Sequence, residues 1–160
     1  MGCTCNNYPD LKPDRKSVLK RINETKILKK VLVQLDKHPD GENILFHCED
    51  CGQFWQSSRA WNWGNEEYLF KVPETQVEVW KDEPYVQPDE LIVFIGAMQN
   101  FMSNFRPVET TSKCKVEGCN NNAIELSVFC ANHHVESLQS VGNLPKKPQG
   151  KLFPPYDGSK

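Results

Sequence analysis

Apolar side chains recur at helical spacing in two long stretches of the chain. In the first, Asp14 is a candidate N-cap, and apolar positions three and four residues apart predict a helix that runs towards Leu35, with Lys and Arg between them. In the second, an apolar stripe follows Pro88, and it consists of Leu91, Phe94, Ile95, Met98, Phe101, Met102 and Phe105. The pattern predicts a basic N-terminal helix and an apolar helix over about residues 89–105.

Between these helices the pattern changes to short apolar runs bounded by turn residues. The run 44–46 leads into the cysteine pair at 48–51, and the chain continues into Phe54 and Trp55, which predicts a strand, a knuckle and a second strand. Alternation of apolar and polar residues predicts further strands over 68–72 and 77–80. The middle of the chain is therefore expected to form short antiparallel strands.

These elements define an α+β fold with three parts. Residues 1–106 are expected to form a small mixed domain. Residues 107–141 begin with a polar connector up to position 113, contain a second group of cysteines and end in a short helix. Residues 142–160 are rich in Pro, Gly and Lys and predict a tail without regular structure.

Cysteine usage points to metal binding. The chain has 160 residues and seven cysteines, 25% of its residues are charged, and its first residues form no apolar run of the kind found in export signals. We therefore expect a cytoplasmic protein, in which thiols stay reduced and an odd number of cysteines does not form a disulfide framework. The remaining use for so many cysteines is as metal ligands.

The second cysteine group has zinc-ligand spacing. Its members are Cys114, Cys119, Cys130 and His133. Two thiolates on a tight loop and two ligands on the first turn of a helix suit a tetrahedral zinc ion. The segments Cys-Lys-Val-Glu-Gly-Cys and Phe-Cys-Ala-Asn-His resemble the knuckle and helix start of a treble-clef zinc finger over residues 114–134. His134 remains an alternative to His133 as the fourth ligand.

The other four cysteines form a second set by counting. This set consists of Cys3, Cys5, Cys48 and Cys51. The pair at 48–52 resembles one knuckle of a zinc ribbon, which needs two more thiolates to close its site. Cys3 and Cys5 are the only ones left, while His38 and His47 remain alternative ligands. We therefore expect two structural Zn²⁺ ions, and the N-terminus is expected to be held by one of them.

Catalysis is not expected. The chain has no His-Glu-x-x-His, no Gly-x-Ser-x-Gly and no phosphate-binding glycine loop. Both predicted zinc sites would be filled by protein ligands, which leaves no position for water or substrate. The chain is therefore predicted to be no enzyme and to have no small-molecule substrate.

Charge is distributed unevenly and suggests a basic protein partner. Residues 42–105 carry a net charge of −8, whereas residues 1–41 carry +4 and residues 106–160 carry +2. The acidic stretch also holds the tryptophans, so steering charge and aromatic anchors coincide. The candidate partner-binding residues are Trp61, Trp63, Glu66, Glu67, Glu78, Asp82 and Glu83. In overall character the chain resembles a small adaptor or a bacterial toxin-neutralising immunity protein, with no membrane contact.

Nucleic-acid binding is the alternative function. The predicted N-terminal helix carries a basic stripe that consists of Arg15, Lys16, Lys20, Arg21, Lys26, Lys29 and Lys30. Such a stripe, together with zinc modules, is typical of proteins that bind phosphate backbones. The same lysines are also what the solvated face of an amphipathic helix requires.

Overall fold

The protein is described here by a computed structural model that covers residues 2–157. The regular elements, in chain order, are helix α1 (Arg15–Leu28), strands β1 (Val33–Lys37), β2 (Ile44–His47), β3 (Phe54–Ala60) and β4 (Glu66–Val72), helices α2 (Val77–Asp82) and α3 (Pro88–Asn104), strands β5 (Glu109–Lys113) and β6 (Asn122–Ile124), and helix α4 (Ala131–Ser140). The predicted α+β class is confirmed. No helix among the described residues is both long enough and apolar enough to cross a membrane.

The chain forms two compact units. The first contains the residues up to Val93 and again those from Pro148 onward, and the second contains Phe94–Lys147. The domain boundaries expected after residues 106 and 141 stay a prediction, and the last three residues of the expected tail lie outside the described range.

An antiparallel sheet in the order β1-β2-β3-β4 is the centre of the first unit. Helix α1 closes the β4 edge of this sheet through two buried side chains. Thr25 Oγ1 accepts a hydrogen bond from Leu69 N (3.1 Å), and Arg21 Nη1 donates one to Leu69 O (3.0 Å). A sheet edge otherwise presents unpaired backbone groups, so α1 takes the place of a fifth strand at this position.

The two faces of the sheet have different cores. On one face Phe46 and Trp55 are cross-strand neighbours and pack in one buried cluster with Leu28 of α1. On the other face the fully buried Gln56 accepts hydrogen bonds from Trp80 Nε1 (2.8 Å) and from Tyr85 N (3.1 Å). The first face is apolar, and the second is held by a satisfied polar network.

Several predicted elements are confirmed. Strands β2 and β3 flank the predicted knuckle, β4 covers the predicted strand 68–72, and α3 coincides with the predicted apolar helix. Helix α4 ends at Ser140, where the second cysteine group was expected to end in a short helix. In each case the local pattern and the tertiary contacts demand the same conformation.

The predicted helix from Asp14 towards Leu35 is wrong in its last third, after Leu28. Asp14 does cap α1, because its side chain accepts a hydrogen bond from Ser17 N. The helix ends at Leu28, a single 3-10 turn follows, and β1 begins at Val33 and pairs with β2. Apolar spacing of three and four residues persisted across the break, but the backbone groups of β1 find their partners in another strand.

Two further predictions are corrected. The predicted strand 77–80 is helix α2, which buries only Trp80 and leaves Val79 about half exposed. One buried anchor suits a helical turn, and no described strand lies beside it for pairing. The predicted connector 107–113 contains β5, whose partner β6 lies in the second cysteine group. Its Thr-Thr-Ser run is polar because every residue of this strand is exposed or half-buried.

The C-terminal segment has no helix or strand among its described residues, but it is packed against the first unit. Phe153 and Tyr156 are buried. The ring of Phe153 stacks on Phe70 at a centroid distance of 5.9 Å, and Tyr156 Oη donates a hydrogen bond to Leu11 O (2.6 Å). The segment therefore contributes core side chains to the first unit.

Candidate metal centres and the acidic cleft

The N-terminal cysteines converge on one point in the first unit. The sulfur atoms of Cys3, Cys5, Cys48 and Cys51 all lie within 4.8 Å of one another. The Sγ atoms of Cys3 and Cys48 are 3.6 Å apart, far longer than a disulfide bond. All cysteines of the chain are free thiols. We call this set the N-terminal cluster.

Two tight turns present these thiols. Cys5 begins a 3-10 turn, and its backbone N–H donates a hydrogen bond to Cys3 Sγ (3.2 Å). On the other side Gly52 N donates to Cys48 O (2.9 Å), which closes the knuckle between β2 and β3. Gly52 has a φ of 75°, a conformation that glycine adopts without strain. The sequence folds locally so that two pairs of sulfur atoms face each other.

Electrostatics in the N-terminal cluster differ from one thiol to the next. A hydrogen bond from Cys51, together with the backbone N–H of Cys5, lowers the pKa of Cys3 to about 7. Burial raises the pKa of Cys5, and the neighbouring thiols Cys3 and Cys48 raise it further. The cluster therefore holds both a readily ionised thiol and a buried thiol that needs a nearby cation to ionise.

The second cysteine group also converges. The ligand atoms of Cys114, Cys119, Cys130 and His133 lie within 4.8 Å of one another. His133 Nδ1 is 3.3 Å from both Cys114 Sγ and Cys130 Sγ, and the Sγ atoms of Cys119 and Cys130 are 3.9 Å apart. Nδ1 is thus the atom that faces the thiols. We call this set the C-terminal cluster.

A loop and a helix start position the C-terminal cluster. Cys119 N donates to Val116 O (3.0 Å), and Gly118 takes a φ of 76° in this turn. Cys130 is the N-cap residue of α4, so its thiol and the ring of His133 lie one helical turn apart on the same face. The predicted arrangement of a knuckle followed by a helix start is what the structure has.

Backbone donors surround the thiols of the C-terminal cluster. Burial alone would raise the pKa of Cys114, but the backbone N–H groups of Val116 and Cys130 outweigh it and lower the pKa to about 6. The contact with Cys114 raises the pKa of His133. Thiolate character is therefore already favoured at Cys114.

Both clusters fit a tetrahedral metal ion. With metal–sulfur distances of about 2.3 Å, the sulfurs of such a site are separated by about 3.8 Å. The separations of 3.6 Å in the N-terminal cluster and 3.9 Å in the C-terminal cluster agree with this geometry. Each cluster supplies four soft or borderline donors, so each can hold one metal ion without other ligands.

The alternative histidine ligands lie outside both clusters. His134 Nδ1 is 3.1 Å from Ser127 Oγ, and its ring stacks on Phe105. His47 packs against the ring of Phe54 at a centroid distance of 4.9 Å. The ring of His38 is paired with Asp40 (2.7 Å). The four-residue sets thus contain the same residues that the spacing predicted.

An acidic cleft of about 320 Å³ lies elsewhere in the first unit. Its lining carries four carboxylates, which belong to Asp40, Asp82, Glu83 and Glu90. Burial raises the pKa of Glu90, and the nearby Asp89 and Glu42 raise it further. No Lys, Arg or His lies within ion-pair distance of Asp82, Glu83 or Glu90 among the described residues. Much of the negative charge in this cleft is therefore uncompensated.

The C-terminal segment forms one wall of this cleft. Lys151 N donates to Pro84 O, and Val86 N donates to Lys151 O, both at 3.1 Å. A Cβ atom on Gly150 would lie 2.9 Å from both Pro84 O and Val86 N, so glycine is required at this position. The cleft is therefore a feature of the fold and depends on residues far apart in the sequence.

The residues predicted to bind a partner are spread over several places. Asp82 and Glu83 line the cleft. Trp61 is about half exposed, and its Nε1 donates to Glu42 (3.0 Å). Glu67 is instead paired with Lys29 (2.8 Å), with Glu66 beside it on β4. Trp63 is half-buried with the guanidinium of Arg15 over its ring, and Glu78 is exposed on α2.

Other aromatic residues and basic residues have structural roles. Trp55, Tyr68 and Phe70 are fully buried and belong to the core. Within the basic stripe of α1, Arg21 is 2% exposed and donates to Pro9 O (2.6 Å) as well as to β4. The stripe is therefore only partly available to a ligand.

Sequence reasoning identified Asp82 and Glu83 but missed the other two carboxylates of the cleft, Asp40 and Glu90. Glu90 was assigned to the predicted apolar helix, and Gln87 to no site, yet both line the cleft. Only the turn between α2 and α3 brings them towards Asp40.

Comparisons with protein-family models, with curated proteins and with solved structures give no match.

Proposed function

We propose that the two clusters each bind one structural zinc ion. Support comes from the donor sets, since a Cys₃His set suits zinc and a closed four-thiolate set also suits it. Residues 114–134 would then form a treble-clef-like finger and residues 48–52 a ribbon-like knuckle. A filled tetrahedral site contributes folding energy and leaves no coordination position for substrate.

Elemental analysis tests the metal proposal. Protein purified without added metal is expected to contain two zinc ions per chain. The exposed Cys51 offers a simple variant, since Cys51→Ser should lower the ratio to one. A ratio near one in the wild-type protein would contradict the proposed N-terminal site, and a ratio near zero would contradict both sites. Iron in place of zinc would show that the proposed metal is wrong.

We further propose that the chain acts by binding a basic protein and not by catalysis. The observation that carries this proposal is the acidic cleft, where three carboxylates lack a cationic partner in the described part of the chain and Glu90 is half-buried. An arginine or lysine side chain of a partner would neutralise this charge. The partly exposed Trp61, held by Glu42, offers an aromatic anchor for the same partner.

An arginine-rich peptide is a suitable probe for the cleft. Amide chemical shifts should change for residues 38–43 and 82–90 when the peptide is added, and the affinity should fall as salt rises. The double variant Asp82→Lys, Glu83→Lys should abolish these changes, because both residues are exposed in the cleft. Glu74→Lys is the matched control, since Glu74 is exposed and lies outside the cleft.

The wild-type protein and the cleft variant can also be used to test the alternative function, which is nucleic-acid binding through α1. Lys16, Lys20 and Lys30 are exposed on this side of the chain. Mixed DNA and RNA at low salt should bind weakly or not at all if the cleft is the functional surface. Micromolar or tighter binding that disappears when these lysines are replaced by Glu, and persists in the cleft variant, would overturn the protein-partner proposal.

A further inference from the structure

Trp55 carries a buried polar group without a matched partner. Its side chain is completely buried on β3, and its indole Nε1 has no hydrogen-bond acceptor among the described residues. Buried donors in native proteins nearly always have an acceptor, so an unmatched one calls for an explanation.

The other fully buried tryptophan shows the usual solution. Trp80 is 1% exposed, and its Nε1 donates to Gln56 Oε1 at 2.8 Å. The fold therefore supplies an acceptor for one buried indole and not for the other. The difference lies in what surrounds Trp55, which packs in one apolar cluster with Cys5 and Cys48.

The sulfur of Cys5 is the acceptor that the surroundings of Trp55 offer. Cys5 is buried in the same cluster as Trp55, and the Trp55 N–H opposes the rise in the pKa of the Cys5 thiol that burial causes. A thiol is a weak acceptor, whereas a metal-bound thiolate is a strong one.

Most of the other thiols have backbone donors, namely those of Cys3, Cys51, Cys114, Cys119 and Cys130. Cys3 accepts from the backbone of Cys5 (3.2 Å), and Cys51 is stabilised by that of Gln53. In the C-terminal cluster the backbone N–H of Asn121 serves Cys119, and that of His133 serves Cys130. At Cys5 the nearby thiols of Cys3 and Cys48 disfavour the thiolate, whereas the indole of Trp55 favours it.

We propose that Trp55 is a positioning residue of the N-terminal metal centre, whose indole N–H donates a hydrogen bond to the coordinated thiolate of Cys5. This inference rests on the proposed metal binding. The bond fixes the direction of the Cys5 sulfur and spreads its negative charge in a core that excludes water. It also makes the unmatched indole part of the site, so that metal binding and core packing depend on the same residue.

Nuclear magnetic resonance on the cadmium-loaded full chain tests the bond directly. A spin-half cadmium isotope replaces zinc in both clusters, and scalar coupling is measured between cadmium and the indole protons. We expect two cadmium signals and coupling from one of them to the Trp55 indole proton. Two cadmium signals without this coupling would overturn the inference while leaving the metal sites intact. A missing N-terminal cadmium signal would overturn both.

A matched pair of variants tests the consequence of the bond. Trp55→Phe should release zinc from the N-terminal cluster into a chelator about tenfold faster, the lower end of the effect of an outer hydrogen-bond partner. Trp80→Phe also removes a buried indole N–H but should leave the release rate unchanged. The C-terminal cluster serves as the internal reference in both. Unchanged release from folded Trp55→Phe would contradict the inference, and if that variant does not fold, the cadmium coupling in the wild type decides.

Discussion

Cys3 and Cys48, whose sulfurs lie 3.6 Å apart, are separated by 45 residues, whereas the four ligands of the C-terminal cluster all fall between positions 114 and 133. A metal ion in the N-terminal cluster would close a long loop and hold the beginning of the chain against the sheet. A metal ion in the C-terminal cluster would close only short loops. The same chemistry therefore has two different consequences for the fold.

The surroundings of the two clusters differ as well. Cys5 and Cys48 are part of an apolar core with Phe46 and Trp55. In the second unit the buried side chains are few, and they are those of Cys114, Ala123, Ile124 and Cys130. Metal ligation would supplement a hydrophobic core at the N-terminal cluster but would have to replace one at the C-terminal cluster.

The largest effect is expected from Cys130→Ser. Structural zinc is worth about 10–16 kcal/mol of apparent binding free energy in finger peptides, and the second unit has little else to hold it. Amides of residues 109–140 should lose their protection from hydrogen exchange, while β3 keeps its protection. Equal loss in both units would show that the two clusters support one cooperative structure.

A smaller effect is expected from Cys48→Ser. A cross-link that closes a loop of about 45 residues is worth about 4 kcal/mol in the chain-entropy description, and the sheet and α1 remain to oppose unfolding. All four tryptophans lie in the first unit, so fluorescence-detected denaturation reports on that unit.

Cys51→Ser is the matched control for this prediction. It removes the same ion but changes an exposed thiol, so it should cost less than Cys48→Ser, which also places a hydroxyl in the core. A larger cost for Cys51→Ser would contradict the proposed role of core packing around the N-terminal cluster.

Arg21→Met should destabilise only the first unit, by about 1–3 kcal/mol. Burial lowers the pKa of Arg21, and the substitution leaves the buried Leu69 O without its donor, at about 1–3 kcal/mol for an unsatisfied buried group. Denaturation and zinc release from the N-terminal cluster are the measurements. Arg15→Met, on an exposed guanidinium, should have almost no effect. Faster release from the C-terminal cluster would show that the clusters are coupled.

The smallest effect is a gain of stability from Leu126→Asn. Leu126 is fully exposed and has a φ of 61°, which costs a branched residue about 1 kcal/mol more than Asn. The thermal midpoint of the second unit, followed by amide signals, should rise, and that of the first unit should not change. Val128→Asn, at an exposed site without positive φ, should give no such gain. A drop in stability for Leu126→Asn would mean that the leucine makes contacts that matter.

The grouping of the cysteines into two clusters and several elements could be predicted from the sequence because they depend on local or exclusive chemistry. Few side chains bind zinc, and their spacing allowed the grouping of Cys114, Cys119, Cys130 and His133. Counting then assigned Cys3 and Cys5 to the knuckle. The apolar stripe of α3 and the knuckle between β2 and β3 carry their own boundaries in Pro, Gly and repeated apolar positions.

Tertiary structure decided whatever depends on a partner distant in sequence. Residues 33–37 form a strand because β2 offers paired backbone groups, and residues 77–82 form a helix because one tryptophan has to reach Gln56. The acidic cleft exists because the segment at Gly150 returns to Pro84. Trp55 and Cys5 belong to one buried cluster for the same reason. Local preferences differ by less than about 1 kcal/mol per residue, so such long-range contacts determine the outcome.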